Sequence, residues 1–413
     1  MSSRRELRSY AVVTAAYWGF TLTDGALRML VLLHFHALGY TPFELAMLFL
    51  LYEVFGVVTN LVGGWLGSRV GLKATLFAGL LLQVAALGIL SGLSTAWPQV
   101  VQVAYVVGAQ GLSGIAKDFT KLSSKSAIKL LVPRDAHGTL FRWVALLTGS
   151  KNTLKGVGFF AGGLLLSALG FRRSLWAMAG GLVVVIALTA ALLPGGMGRA
   201  KSKVKFSQIL SKTRAINILS AARLFLFGAR DVWFVVALPV FLSDVAGWSF
   251  VAIGTYLAGW VIAYGIVQAG TPRLMRRMGG AGVNDARAAK LWGFALALVP
   301  AGIYGGLHTS ASATVVVVAG LGVFGVVFAI NSAVHSYLIL AYTDADKVAL
   351  NVGFYYMANA AGRLIGTILS GLVYQAGGLG PCLLTATGMV LAASVLAVFL
   401  PDPRGGPSPA RDR

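Results

Sequence analysis

Apolar residues run along this chain in stretches of about twenty or more, broken by short polar segments rich in Gly, Lys and Arg. Twelve such stretches can be read, at roughly 10–38, 42–68, 74–94, 98–122, 138–167, 174–193, 217–242, 249–270, 288–307, 313–342, 348–376 and 381–400. About 20 helical residues at 1.5 Å each span the hydrocarbon core of a bilayer. The pattern therefore predicts an all-α membrane protein with twelve transmembrane helices. Composition agrees, since 57% of the 413 residues are apolar and only 11% are charged, against about 25% charged in soluble proteins. Abundant Gly (52) and scarce Pro (12) suit closely packed membrane helices. A soluble enzyme is excluded.

The net charge of +21 could suggest nucleic acid, but its placement argues against that partner. With the spans above, 24 of the 34 basic residues fall on one side: Arg4, Arg5, Arg8, Arg69, Lys73, Lys121, Lys125, Lys129, Arg134, the basic run 199–214, the run 273–290, Lys347 and the tail arginines. The opposite side has only Arg172 and Arg173, and the other eight lie within spans. Lys and Arg accumulate in cytoplasmic loops, which predicts a multi-pass protein of the inner membrane with both termini in the cytoplasm. The bilayer is then the expected partner. Cys382, the only cysteine, can form neither an internal disulfide nor a multi-thiolate metal site. The polar segment 1–8 followed by a long apolar span reads as an anchor rather than a cleavable signal peptide.

The longest polar interruption, 194–216, divides the chain into a six-helix bundle at 1–193 and a second at 217–413 that ends in a short cytoplasmic tail. The division is echoed by an internal repeat. The loop Gly64-Trp65-Leu66-Gly67-Ser68-Arg69-Val70-Gly71-Leu72-Lys73 pairs with 272–279, setting Arg69 against Arg277 and Gly71 against Gly279 at an offset of 208. Lys155, Gly158 and Gly163 pair with Arg363, Gly366 and Gly371 at the same offset. Two pseudo-symmetric halves related by duplication are expected. This layout resembles the major facilitator superfamily along the whole chain. Gly64, Arg69, Gly71 and Lys73 match that family's loop signature G-x-x-x-D-R-x-G-[RK]-[RK], while Ser68 and Leu72 depart from it. The resemblance implies a conformational role for this loop and its repeat.

Charges inside spans cost about 2.5–3.5 kcal/mol each at a helix centre and are expected to face a bundle interior or a wet cavity. Near mid-span lie Asp24, Arg28, Glu53, Lys151, Lys155, Arg230, Asp231 and Arg363, an excess of cations; Lys117, Asp118, Arg142 and Arg223 lie toward the cytoplasmic ends. Asp24 and Arg28 are four apart and can pair within one helix. Lys151 and Lys155 share a face with no acid between them, so Glu53, Asp24 or an anionic substrate must compensate them. Arg363 occupies the repeat position of Lys155, which offers a cation from each half. Arg230 and Asp231 point about 100° apart on a helix, so one of them is expected to look across the cavity. Lys117, Lys121, Lys125 and Lys129 form a basic stripe that reads as an anion funnel or as positive-inside charge. The candidate substrate-binding set is Arg28, Lys117, Lys121, Lys151, Lys155, Arg230 and Arg363. Asp24, Glu53, Asp118 and Asp231 are candidates for proton coupling or charge neutralisation.

His34 and His36 are two apart and do not share a helix face, so no metal site is expected there. No phosphate-binding G-x-x-x-x-G-K-[ST], no H-E-x-x-H and no G-x-S-x-G is present, which leaves an ion or substrate gradient as the energy source, with no cofactor. The stretches 16–28 (AYWGFTLTDGALR), 114–121 (GIAKDFTK) and 147–156 (LTGSKNTLKG) resemble the ArsJ family of organoarsenical efflux permeases. That resemblance implies export of 1-arseno-3-phosphoglycerate, which glyceraldehyde-3-phosphate dehydrogenase makes when arsenate replaces phosphate, and hence arsenate resistance. A carrier of an ordinary organophosphate would use the same cationic cavity. A non-transporting receptor or scaffold whose buried charges merely bridge helices is the third reading.

Overall fold

The computed structural model describes residues 4–70, 72–131, 137–193, 213–277, 286–343 and 348–401, with only the backbone for some helical residues among them. These residues form thirteen helices and no strand: α1 (Arg4–Ala37), α2 (Pro42–Met47), α3 (Leu50–Val70), α4 (Leu72–Ser91), α5 (Gln99–Leu131), α6 (His137–Leu192), α7 (Arg214–Phe234), α8 (Ala237–Asp244), α9 (Phe250–Arg277), α10 (Ala286–Gly306), α11 (Ala313–Ala341), α12 (Val348–Gly377) and α13 (Leu379–Val398). They make twelve crossings. α2 with α3 forms one span and α7 with α8 another. α6 supplies two, because its backbone leaves the helical region at Gly170 (φ 72°). Leu147 and Leu182 therefore lie in one packed cluster, while Phe159 and Leu175 lie in another. A left-handed φ favours Gly because it has no Cβ to clash with the backbone.

The break between α7 and α8 has a tertiary cause. Backbone N–H groups in a bilayer need partners inside the protein, and Ser370 Oγ of α12 accepts from Val236 N at 3.2 Å and Ala237 N at 3.1 Å. At the start of α2, Thr41 caps the helix reciprocally with Glu44, and Pro42 occupies its first turn.

Contacts between elements repeat with the offset of 208. α1 packs on α6 as α7 packs on α12, and α6 packs on α9 as α12 packs on α3. The paired glycines lie at these contacts. A Cβ on Gly163 would sit 2.5 Å from the Phe250 carbonyl oxygen, and one on Gly371 would sit 2.5 Å from that of Pro42. Both distances are too short for any residue larger than Gly.

One apolar core, from Leu27 and Phe49 to Leu238 and Phe324, joins the first six spans to the last six. Toward the end that carries residues 10, 193, 216 and 400, the buried residues instead form two separate clusters. One contains Tyr10, Phe20 and Leu193, and the other Ile216, Tyr355 and Leu400. Among the described residues, the shared core thus fills the middle and far end, while near the termini each half keeps its own buried cluster. At the far end, His36 Nε2 lies 2.8 Å from Asp244 Oδ1, a pair of positions separated by 208 residues. Phe43 N donates to Gln375 Oε1 at 3.2 Å near the same end.

Among the described residues, eight stretches are long and apolar enough on composition alone to cross a membrane. α1, α5 and α12 are not among them, and these three helices carry Asp24, Arg28, Lys117, Lys121 and Arg363. Their polarity has a use at the centre of the bundle.

Candidate functional site

Five charged side chains from four helices form an alternating chain at mid-depth. Arg28 Nη1 of α1 lies 3.2 Å from Glu53 Oε1 of α3. The same oxygen takes Arg363 Nη2 of α12 at 2.6 Å. Arg363 Nε reaches Asp231 Oδ2 of α7 at 3.1 Å, and Arg230 donates to Asp231 Oδ1 through Nε at 2.7 Å and Nη2 at 2.5 Å. Glu53 and Asp231 are wholly buried, where an unpaired charge would be strongly destabilising. The chain is not saturated, because Glu53 Oε2 and Arg28 Nη2 are buried without a hydrogen-bond partner.

Two lysines border this chain. Lys117 Nζ sits 3.9 Å from the ring centroid of Tyr52, and Lys155 Nζ sits 5.7 Å from that of Phe159. Neither makes an ion pair among the described residues. Asp24 accepts from Tyr52 Oη at 2.6 Å. Arg28, Lys117, Lys155, Arg230 and Arg363 thus face Asp24, Glu53 and Asp231, leaving the centre with a formal excess of two positive charges. Arg28 also lies over Phe49 at 4.9 Å, and Arg230 over Phe227 at 4.9 Å. The aromatic faces hold guanidinium groups by cation–π attraction without neutralising them.

The sequence profile of the Major Facilitator Superfamily matches residues 11–338. The chain belongs to this superfamily. It is a membrane transporter and not an enzyme. Two solved structures align over nearly its whole length. A bacterial homologue of the iron transporter ferroportin, in an outward-facing state with soaked iron, shares 15% identity at a TM-score of 0.67, covering 96% of this chain and 99% of that one. A point mutant of the nucleoside transporter NupG shares 15% identity at a TM-score of 0.70, covering 96% and 98%. At that identity they establish the twelve-helix facilitator fold and nothing about the solute. Comparison with curated proteins gives no match.

In this facilitator, Arg28, Lys117, Lys155, Arg230 and Arg363 converge, as do Asp24, Glu53 and Asp231. The pairings differ from those read in the sequence. Asp24 does not pair with Arg28: Tyr52 and Glu53, side chains of α3, reach across to them, Tyr52 taking the carboxylate and Glu53 the guanidinium. Arg230 and Asp231 do pair, because the long guanidinium arm reaches back to its neighbour, while the second Asp231 oxygen looks across to α12. Glu53 joins the arginines, not the lysine pair. Lys151 lies on the same helix as Lys155 and is half-buried.

Lys121 stands apart from the chain. Its Nζ meets Asn60 Oδ1 at 2.6 Å and Asp118 Oδ1 at 3.3 Å, and Asp118 also accepts from Thr59. The side chains of Lys125 and Lys129 lie outside the described residues, as do those of Arg142, Arg69 and Arg277. Gly64 lies near the end of α3, and Gly71, Gly279 and residues 194–212 fall outside the described residues. Lys73 Nζ donates to the Leu193 carbonyl at 3.1 Å.

His34 stacks on Phe171 with ring centroids 4.1 Å apart. No group of three His, Cys, Asp or Glu gathers as a metal site among the described residues. Tyr52 was not singled out in the sequence. Its place beside Glu53 in an apolar span was the available signal.

Proposed function

We propose that this facilitator exports a small organic anion bearing phosphate- or arsenate-type groups, with 1-arseno-3-phosphoglycerate as the substrate. The observation that carries the reading is the central excess of cations, with arginines from both halves and two lysines that form no ion pair among the described residues. Guanidinium groups grip oxyanions through paired N–H donors, and lysines act as point charges. Cys382 is the single cysteine and is buried, so no multi-thiol site for trivalent arsenic is on offer. A pentavalent oxyanion ester needs none.

The basic loops would set both termini on the cytoplasmic side of the inner membrane, and substrate would then enter from the cytoplasm between the two terminal clusters. Glu53 and Asp231 hold Arg28, Arg230 and Arg363 in the empty cavity and give them up as the anion enters. The two halves would then rock about the site to expose it on the other side. Glyceraldehyde-3-phosphate dehydrogenase is the functional partner that makes the ester. Because an acyl arsenate hydrolyses readily, export leaves arsenate outside the cell.

The test is arsenic uptake into everted vesicles given arsenate with and without glyceraldehyde 3-phosphate, NAD and the dehydrogenase. Accumulation only with the complete mixture is expected. No accumulation by correctly inserted protein would refute the arsenical reading, and exchange of 3-phosphoglycerate would then point to an ordinary organophosphate carrier. Lys155→Ala and Arg363→Ala should each reduce uptake at least about tenfold, the effect of losing one charge-assisted contact. Full uptake by the well-folded double variant would remove both residues from the site.

A further inference from the structure

Among the described residues, Arg223 is the one buried arginine that the central chain does not use. It is 4% exposed and forms no ion pair among the described residues. Its guanidinium is held only by neutral groups. Nε donates to Asn359 Oδ1 at 2.9 Å, and Nη1 donates to the Ser332 carbonyl at 3.3 Å and to Ser332 Oγ at 3.1 Å. The charge is oriented by α11 and α12 and, among the described residues, meets no carboxylate.

Its position relates it to the central chain. Arg223 and Arg230 lie seven residues apart on α7, two helical turns. Both guanidinium groups pack on the same ring, Phe227, at 3.9 and 4.9 Å from its centroid. Their central carbons are therefore at most about 9 Å apart. Asn359, which orients Arg223, is one turn from Arg363 on α12, so the two share a face. A second unmet group stands nearby in the fold. His335 is 2% exposed, its Nδ1 is buried without a hydrogen-bond partner, and it follows Ser332 by three residues on α11.

We infer that Arg223 and His335 form a second anion subsite, one step nearer the termini than the central chain, which takes the far carboxylate or phosphate of a two-headed substrate. The inference rests on the organic-anion reading above and deepens it. The central arginines and lysines hold one oxyanion group while Arg223 holds the other, and the span across Phe227 suits a three-carbon backbone carrying a charge at each end. Phosphate esters with one anionic head would lack the second contact and bind more weakly, so the subsite would select for doubly headed anions.

The experiment is calorimetric binding of two probes to the purified full-length protein. Glycerol 3-phosphate has one anionic head, and 3-phosphoglycerate has a phosphate and a carboxylate. The parent is expected to bind 3-phosphoglycerate at least about tenfold more tightly. Arg223→Gln should bring 3-phosphoglycerate down to the level of glycerol 3-phosphate, whose own affinity stays within about twofold, and Arg223→Lys should recover part of the loss. His335→Leu leaves Arg223 and its partners in place and should weaken 3-phosphoglycerate alone, by about threefold. Equal affinity of the parent for both probes, or variants that weaken both alike, would make Arg223 a helix pin and overturn the subsite while leaving the organic-anion function standing. Binding of neither probe by the parent would overturn the phosphate-ester reading and the subsite with it.

Discussion

Glu53 is where the two halves compete for a single oxygen. Its Oε1 serves Arg28 from the first half and Arg363 from the second, while Oε2 has no partner. Removing one member of a buried charge pair costs about 3–5 kcal/mol, chiefly because the remaining charge is stranded. Glu53→Gln should therefore lower the melting temperature of the empty protein by several degrees. An added anion should then raise it by more than in the parent, because Arg28 and the Nη2 of Arg363 have been released for it. A thermal shift with 3-phosphoglycerate that is no larger than the parent's would show that Glu53 does not contend with substrate. Which residues would be charged inside the bundle was legible in the sequence, because a Lys, Arg, Asp or Glu stands out in an apolar run. Their pairing was not. Asp24 and Arg28 satisfy the helical spacing rule, yet Tyr52 and Glu53 of α3 reach them instead, and contacts from a second helix are invisible to a rule about one helix.

At the level of elements, the repeat is carried by glycines because they mark places where two backbones touch. Gly163 against Phe250 and Gly371 against Pro42 are the same contact made once in each direction between the halves. Gly163→Leu and Gly371→Leu should each destabilise the protein by about 1–3 kcal/mol through overpacking and stop transport. Gly180→Leu, with open space around its Cβ position, should do neither, and the three variants can be compared by thermal denaturation and vesicle uptake. Equal behaviour of all three would remove the close-approach argument. The twelve apolar runs and the offset of 208 were readable before any coordinates. The interruptions at Leu48–Phe49 and Val235–Val236 were not, because neither contains Gly or Pro. The second depends on Ser370, a hydroxyl 133 or more residues away that accepts from the backbone donors at the break.

For the whole molecule, the two halves share one core away from the termini and separate cores near them. Transport by a rocking of the halves requires the joined end to part, and His36 with Asp244 spans that end. Joining these positions as cysteines with a reducible bifunctional thiol reagent should abolish uptake, and reduction should restore it. A reagent with its own reach is needed because a direct disulfide demands Cα atoms within about 7 Å. Cys382 is buried and should not react. Undiminished uptake in the joined state would mean that this end does not open. His36 and Asp244 also stand at equivalent positions, 208 residues apart, and a position that touches its own equivalent lies beside the axis relating the two halves. The fold treats the halves as like partners there, yet the contact is made by unlike ones, a histidine from one half and an aspartate from the other.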